Sequence, residues 1–273
     1  MQSTLKDTNQ EPALQVKDHG AVRWIIFNRP TKHNAQNREM LESLDDVLRE
    51  TRRNKGVRVV VLGGNGPSFC SGHDLRSISY DEEYANSVST AEGRYRREED
   101  LFVGPVEAFQ NLPMPTICRV QGACLAAALM FVSVSDFVIA SDDSYYGSPV
   151  ISTLGVNDAE VPSFSWRIGD RRAKQALWLN ERIDATEAYR IGLVNWVVPL
   201  AELDSKVSEV SEKLLQAPPE ALALSKASFR FMADRQGERD FSTFHFVAHQ
   251  LSHETYESKT LLKARIEKNA RSI

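Results

Sequence analysis

Three stretches near the start of the chain carry its clearest hydrophobic and polar patterns. The segment from Ala21 to Phe27 is rich in β-branched and aromatic residues, which predicts a strand, and Asn28-Arg29-Pro30 ends it because proline cannot continue a ladder. From Asn37 to Arg53 apolar residues recur at helical spacing, which predicts an amphipathic helix. The run from Val57 to Leu62 is almost wholly β-branched, as in a buried parallel strand, and a glycine-rich segment follows at 63–67. The order strand, helix, strand predicts a right-handed βαβ unit.

The rest of the chain changes from mixed α/β to all-helical. Residues 76–100 are polar and lack a clear period, which predicts a mobile excursion, whereas the apolar run from Ala123 to Ser133 predicts a buried helix. We divide the chain into a disordered tail at 1–12, an α/β core at 13–200 and a helical region at 201–273. The remaining patterns predict strands over 116–120, 137–140 and 195–198, and helices over 98–111, 171–180, 185–191, 203–217, 219–234 and about 242–270.

Composition and charge narrow the class of protein. Of the 273 residues 42% are hydrophobic and 26% charged, as in ordinary globular proteins, and the formal net charge of −4 argues against nucleic acid as a partner. The three cysteines match neither a disulfide framework nor a metal motif, so we predict a reducing, cytoplasmic location. The N-terminal residues carry no apolar signal segment, and the longest apolar run, 123–132, is about half as long as a membrane span requires.

Two segments of small residues suit the close approach of a ligand to the backbone. The first, Pro67 to Leu75, follows a predicted buried strand, and the second, Val120 to Ala128, leads into a predicted helix whose first N–H groups carry partial positive charge. One N–H group from each segment could converge on a carbonyl oxygen and form an oxyanion hole for a thioester enolate. The simpler interpretation is that both segments only pack neighbouring elements together.

Several motifs follow one another in a distinctive order, namely Asn28-Arg29-Pro30 with Asn34-Ala35, Phe69 to Leu75, Pro115 to Gly122 with Asp136, and Arg182 to Val194. Together they resemble the enoyl-CoA hydratase/isomerase (crotonase) superfamily from about residue 14 to residue 230. The resemblance implies an α/β fold of the ClpP/crotonase type, a superhelix of ββα units with a C-terminal helical trimerisation region. It also implies a homotrimer or dimer of trimers that acts on acyl-CoA thioesters without a separate cofactor, since coenzyme A is part of the substrate.

The resemblance also assigns site residues by motif position. It implies that the backbone N–H groups of Ser71 and Ala127 form the oxyanion hole. In the family the second donor usually lies in a glycine-rich run, and here that run is Ala126-Ala127-Ala128. Alanine keeps the backbone N–H, but each added methyl group narrows the space through which a ligand approaches the backbone. The implied substrate-binding residues are Arg29, Lys32, Asn34, Ala35, Gly72, His73, Asp74, Met130 and Val150.

The sequence departs from the resembled hydratases at the two glutamates that share their acid–base work. Those positions map to Met130 and Val150, neither of which can transfer a proton. Other branches of the superfamily place one carboxylate in the following loop, which is a glutamate base in certain isomerases and an aspartate nucleophile in aryl-CoA dehalogenases. In this sequence the candidate for that carboxylate is Asp158 or Glu160. Asp158 is preferred because the pair Asn157-Asp158 also occurs in the dehalogenase-like pattern. Alternatively, Asp158 caps the next helix, Glu160 is solvated, and the chain is a catalytically silent acyl-CoA-binding protein.

Histidines and basic residues supply the remaining candidates. His73 could act as an acid or base but is better interpreted as lining the pocket, and Asp74 is expected to hold the loop through backbone hydrogen bonds. His245, His249 and His253 recur every four residues, and their apolar neighbours favour a subunit-interface helix, so we predict no metal site. The phosphates of coenzyme A require basic side chains, for which the candidates are Arg29, Lys32, Arg76, Lys259, Lys263 and Lys268.

Overall fold

Two β-sheets organise the chain. The computed structural model describes residues 11–79 and 82–270, so nearly all of the predicted N-terminal tail lies outside the described residues. The strands in this part of the chain are β1 (Leu14–His19), β2 (Val22–Phe27), β3 (Val59–Gly64), β4 (Thr116–Val120), β5 (Ala123–Leu125), β6 (Phe137–Ser141), β7 (Tyr145–Gly147), β8 (Ile183–Asp184) and β9 (Trp196–Val198). A six-stranded sheet has the order β1-β2-β3-β4-β6-β9, and a three-stranded sheet has the order β5-β7-β8.

Short and long helices alternate with these strands. A π-helical turn, Glu99–Val103, joins the fourth and fifth helices. The α-helices are α1 (Arg38–Arg53), α2 (Leu75–Ser79), α3 (Glu82–Ser87), α4 (Ala91–Glu98), α5 (Gly104–Gln110), α6 (Ala128–Val134), α7 (Val150–Leu154), α8 (Ser163–Ile168), α9 (Asp170–Trp178), α10 (Ala185–Arg190), α11 (Leu203–Gln216), α12 (Pro219–Arg235), α13 (Glu238–Ser252) and α14 (Tyr256–Ala270).

The predicted βαβ unit is confirmed. Strands β2 and β3 pair in parallel, with Val22 opposite Val59 and Phe27 opposite Gly64. Helix α1 begins where the Asn37 side chain accepts a hydrogen bond from the Met40 N–H at 3.1 Å, which satisfies a donor that the helix itself leaves unpaired. Strand β3 is buried along its whole length, as its β-branched sequence predicts, and extends two residues further into the glycines than expected.

Two sequence predictions are wrong, and one further segment contains helices that the sequence did not predict. The described residues of the segment 76–100, for which a mobile excursion was expected, include α2, α3 and α4, short polar helices with capping bonds such as the one that the Gly93 N–H donates to Thr90 Oγ1 at 3.1 Å. The apolar run predicted as one helix over 123–133 splits into β5 and α6, because residues 123–125 pair with β7 and Ala126 turns the chain with a φ of +50°. The single helix predicted over 242–270 is two helices, α13 and α14.

Apolar side chains cover both faces of the larger sheet. On one face, Val59, Val61 and Ile139 pack against Leu203 and Val207 of α11. On the other face the larger core gathers residues from α1, α5 and α6 around the sheet. This arrangement leaves the carboxyl ends of β3 and β4 at one edge, where the loops at 65–74 and 121–127 begin. None of the described helices combines the length and the apolar content that crossing a membrane requires.

Candidate active site

The two small-residue segments lie side by side at this edge of the sheet. Cys70 and Cys124 form a parallel bridge, in which the Cys70 N–H donates to the Ala123 carbonyl at 3.1 Å and the Leu125 N–H donates to the Cys70 carbonyl at 3.0 Å. The Gln121 amide donates to the Gly64 carbonyl at 2.6 Å. The segments that were predicted to converge therefore do so, held by backbone pairing.

Gly72 makes the close approach of the two segments possible. Its φ is +92°, a conformation that favours glycine, and a Cβ at this position would lie 3.0 Å from the Ala126 Cβ and 3.3 Å from the Ala127 nitrogen. The backbone at 71–72 therefore faces the first turn of α6.

The two predicted oxyanion donors differ in what they already bind. The Ala127 N–H, at the start of α6, has no acceptor among the described residues. The Ser71 N–H donates to the His33 carbonyl at 3.0 Å. A carbonyl oxygen placed between the two segments could accept from the Ala127 N–H directly. To accept from the Ser71 N–H, it would have to displace the His33 carbonyl.

Several of the predicted substrate-binding residues hold the loops in place. Asn34 is fully buried, and its Nδ2 donates to the carbonyls of Asn65, Ser68 and Phe69 at 2.9, 2.8 and 3.1 Å. Its Oδ1 accepts from the Arg29 N–H at 2.8 Å. These bonds occupy the Asn34 amide, so it shapes the site from behind.

Arg29 and Asp74 act on the same loop from the other side. The Arg29 guanidinium lies 2.9 Å from the Asp74 carboxylate, which also accepts from the Ser77 N–H at 3.1 Å, in keeping with the loop-holding role predicted for Asp74. Arg29 also donates to the Ala35 carbonyl. Lys32 is exposed, and so is Arg76 at the mouth of the site.

The two candidate carboxylates lie beside these loops in different environments. Asp158 and Glu160 have exposed fractions of 4% and 6%, so the alternative of a solvated Glu160 is wrong. Burial raises the pKa of Asp158 to about 6, although hydrogen bonds from the Ala159 N–H and the Ser148 hydroxyl (2.9 Å) oppose that rise. Burial also disfavours a charge on Glu160, but the imidazoles of His73 and His249 outweigh it and lower the pKa of that carboxyl.

His73 lines the pocket, as predicted. Its Nε2 lies 3.1 Å from Glu160 Oε2, and its ring stacks on Phe102 with 3.9 Å between the centroids. Its buried Nδ1 has no hydrogen-bond partner within the described part of the chain. His73 therefore favours the anionic form of Glu160, whereas burial favours the protonated form of Asp158.

A cavity of about 410 Å³ brings these groups together. This volume suits a small ligand. Val150 lines it, whereas Met130 is buried in α6, where its Sδ accepts from the Val161 N–H at 3.3 Å and so anchors the loop that carries the carboxylates. The lining includes Ala35, Ser71, Ala127, Asp158, Glu160 and His249.

The histidines of α13 contact groups within the fold. His245 Nε2 lies 2.9 Å from the Ala159 carbonyl, and His249 Nδ1 lies 3.2 Å from Asn157 Oδ1. Their neighbours Phe244 and Leu251 on the same helix are 74% and 70% exposed, and the subunit-interface role of this helix stays a prediction.

Glu98 is a site residue that sequence reasoning missed. It is 3% exposed, lines the same cavity and lies 3.5 Å from His249 Nε2. No local signal could have found it, because it comes from a polar segment far from α13 in the sequence. Of the lysines suggested for the phosphates, Lys259 pairs with Glu254 at 2.8 Å, Lys263 is exposed, and the Lys268 side chain lies outside the described residues.

Cys70, although next to the predicted donor Ser71, is unsuited to nucleophilic chemistry. Burial raises the pKa of the Cys70 and Cys118 thiols to about 12 and raises that of Cys124 as well. We expect none of the three thiols to react with a disulfide reagent such as DTNB in the folded protein at pH 8, and all three to react in urea. Rapid labelling of one thiol in the folded protein would contradict this assignment.

Comparison with known proteins shows which family the chain resembles. Residues 17–269 match the family model for enoyl-CoA hydratase/isomerase. A Mycobacterium tuberculosis protein named as an enoyl-CoA hydratase, EchA13, is 32% identical over 249 residues, which cover 86% of this chain and 78% of that protein. A 4-chlorobenzoyl coenzyme A dehalogenase from an Arthrobacter species is 27% identical, covering 80% of this chain and 78% of the dehalogenase.

Solved structures give the same result for the fold. The crystal structure of a probable enoyl-CoA hydratase from Mycobacterium thermoresistibile superposes with a TM-score of 0.82 at 30% identity, covering 89% of this chain and 97% of that chain. This confirms the crotonase fold predicted from the motifs. The chain belongs to the enoyl-CoA hydratase/isomerase family.

Proposed function

We propose that this protein is an acyl-CoA enzyme that moves a proton between carbons of an unsaturated thioester, as in the isomerisation of a 3-enoyl-CoA to a 2-enoyl-CoA. One observation carries the proposal: Asp158, a buried carboxyl whose pKa lies near 6, shares a cavity with the Ser71 and Ala127 backbone. A base of that pKa, held beside donors for an enolate oxygen, suits removal of a proton next to a thioester carbonyl.

In the proposed reaction each of these groups has a defined role. The thioester oxygen accepts from the Ala127 N–H and, as charge develops on it, also from the Ser71 N–H. The Asp158 carboxylate takes the proton from C2, and the electrons of that C–H bond move into the enolate. The same carboxyl then returns the proton to C4, which leaves the double bond between C2 and C3. One carboxyl suffices for both steps.

Hydration by a pair of carboxylates has less support in this cavity. Glu160 is held between His73 and His249, with 3.1 Å from Oε2 to His73 and 3.7 Å from Oε1 to His249. Met130 and Val150, which map to the glutamates of the resembled hydratases, carry no titratable group. Of the two loop carboxyls, Asp158 is the one whose raised pKa suits proton transfer near neutral pH.

A second candidate is nucleophilic displacement on an aryl-CoA by Asp158. Two observations favour it: the Asn157-Asp158 pair, in which the Asp158 N–H donates to Asn157 Oδ1 at 3.1 Å, and the similarity to the Arthrobacter dehalogenase. In that reaction the carboxylate would bond to the halogen-bearing carbon, halide would leave, and water would cleave the resulting ester.

A panel of thioesters tests these functions. We would assay 2-enoyl-, 3-enoyl- and 4-halobenzoyl-CoA with the wild type and measure binding of each. Conversion of the 3-enoyl ester supports the proposal, and halide release with no isomerisation would favour the second candidate. Binding without turnover would show a silent acyl-CoA binder, and absence of any binding would refute all three.

The pH dependence of kcat/KM should show the protonation of Asp158. We expect kcat/KM to rise with pH through about 6, because the base must be unprotonated. Since the Ser148 hydroxyl stabilises the carboxylate, S148A should move this limb to higher pH. A limb that stays in place in S148A would show that another group titrates there.

The predicted trimer and cytoplasmic location stay predictions. The exposed apolar side chains on α12 and α13, among them Phe229, Phe231, Phe244 and Leu251, support association of subunits through these helices. Light scattering of the purified protein would measure its mass.

A further inference from the structure

We propose that Glu98, His249 and His253 form a binding site for a divalent transition metal such as Zn²⁺ at one wall of the cavity. One ligand atom from each of the three residues lies within 4.8 Å of the other two. This proposal is independent of the reaction assigned above, because it concerns metal binding alone.

The spacing of the ligand atoms suits a tetrahedral ion. His249 Nε2 lies 3.1 Å from His253 Nε2 and 3.5 Å from Glu98 Oε2, and His253 Nε2 lies 3.9 Å from Glu98 Oε1. Around a zinc ion with bonds of about 2.0–2.1 Å, neighbouring ligands are roughly 3.3 Å apart. The three side chains therefore need only small shifts to reach one ion.

The hydrogen bonds around His249 prepare its Nε2 lone pair for a cation. Its Nδ1 lies 3.2 Å from Asn157 Oδ1, and donation there leaves Nε2 unprotonated in the neutral ring. That Nε2 then faces the second histidine nitrogen and the oxygens of Glu98 and, at 3.7 Å, of Glu160. A proton on His249 Nε2 can form a well-aligned hydrogen bond to only one of these neighbouring atoms. A metal ion can bind several of them at once. An outer hydrogen bond to the far ring nitrogen is typical of histidine ligands.

Burial and charge support the same assignment. The side chains of Glu98 and His249 are each 3% exposed, whereas that of His253 is 23% exposed. Gln250 fixes Glu98 by donating to Oε2 at 2.7 Å. Arg94, whose charge acts on His253, is paired with Glu254 at 2.6 Å. Imidazole ligands favour zinc or cobalt over magnesium and calcium, which prefer oxygen.

The cavity gives such an ion an open side. All three residues line the same cavity as Ser71 and Ala127, so a fourth position could hold water or a polar group of a ligand. Three protein ligands with one open position is the pattern of zinc sites that act on substrates, whereas closed sites of four ligands are structural.

Titration of the chelator-treated protein with Co²⁺ and Zn²⁺ tests the site. We expect one equivalent of Co²⁺ to produce visible ligand-field bands of a low-symmetry site, and Zn²⁺ to displace it and to raise the Tm. H253A should weaken Co²⁺ binding by more than about 100-fold, since loss of an outer partner alone costs about 10- to 100-fold. E98Q should weaken it similarly.

A matched control separates this site from adventitious binding. His19 is exposed on β1, where its ring contacts that of Trp24, so H19A should bind Co²⁺ like the wild type. Because His253 is partly exposed, H253A should fold, which far-ultraviolet circular dichroism will verify. Absence of ligand-field bands in the wild type, or equal binding by the wild type and folded H253A, would overturn the proposal. Neither readout depends on turnover, so failure here is distinct from failure of the proposed reaction.

Discussion

Replacement of Asp158 by asparagine is expected to lower kcat for 3-enoyl-CoA isomerisation by about 10²- to 10⁴-fold, the usual contribution of a positioned acid or base. The amide keeps the size of the side chain and its contact with the Ser148 hydroxyl but cannot carry a proton between carbons. Binding of a non-reactive acyl-CoA should be nearly unchanged, since the donors for the thioester oxygen are backbone groups. Steady-state kinetics and calorimetric titration measure the two effects separately.

The stability of the same variant provides an internal check. The pKa of Asp158 is raised from 3.8 to about 6, so the folded protein holds this proton more tightly than the unfolded chain. The resulting stability is present below the unfolded pKa and is lost as pH rises through about 6. At pH 8, D158N should therefore be at least as stable as the wild type, with a gain of at most about 3 kcal/mol. Loss of turnover in D158N cannot then be attributed to unfolding.

Two other carboxyl variants sharpen the comparison. D142N removes an exposed carboxyl outside the cavity and should retain full activity. E160Q removes the partner of His73 and should act mainly through the shape of the cavity, so a rise in KM is expected to accompany any fall in kcat. Full loss of kcat in E160Q with an active D158N would exchange their roles and contradict the proposed mechanism.

Substitution of Gly122 by alanine is expected to lower the free energy of unfolding by about 2–5 kcal/mol. A φ of +53° costs about 1–2 kcal/mol for a residue with a Cβ, and here that Cβ would lie 2.0 Å from the Pro67 carbonyl oxygen. The two loops would have to separate, and forced displacement of packed groups costs about 1–3 kcal/mol more. Urea unfolding measures the loss.

Gly192 offers the matched control for that experiment. Its φ is +78°, yet a Cβ there would meet no atom within 4 Å. G192A should therefore lower the free energy of unfolding only by the conformational cost of a positive φ, about 1–2 kcal/mol. An equal decrease in the free energy of unfolding in G122A and G192A would show that the contact with Pro67 does not contribute to the destabilisation.

The sequence predicted those elements whose signal is local and periodic. Helix α1 has a single apolar face, and β3 is an unbroken β-branched run that is buried throughout. Strands β1, β5 and β7 were missed for different reasons. β1 is a largely exposed edge strand, and β5 and β7 are three residues each and exist because they pair with one another. An apolar run such as Ala123 to Ser133 does not reveal where strand pairing ends and a helix begins.

The site was predictable where backbone geometry follows from small residues and not where side chains meet across the fold. The convergence of the Ser71 and Ala127 segments follows from turns at the ends of two parallel strands. The different protonation of Asp158 and Glu160 depends on neighbours from elsewhere in the chain, chiefly His73 and His249. Motif spacing contains no information about such partners.

The bond from the Ser71 N–H to the His33 carbonyl has a consequence for selectivity between ground state and transition state. A neutral thioester oxygen that displaces the His33 carbonyl exchanges one neutral hydrogen bond for another, each worth about 0.5–1.5 kcal/mol, and gains almost nothing. An enolate oxygen makes a charge-assisted bond of about 1.5–3 kcal/mol and wins the competition. The Ser71 N–H would thus bind the substrate oxygen only as negative charge forms on it. The energy of this hydrogen bond would lower the activation barrier without increasing the affinity for the ground-state substrate.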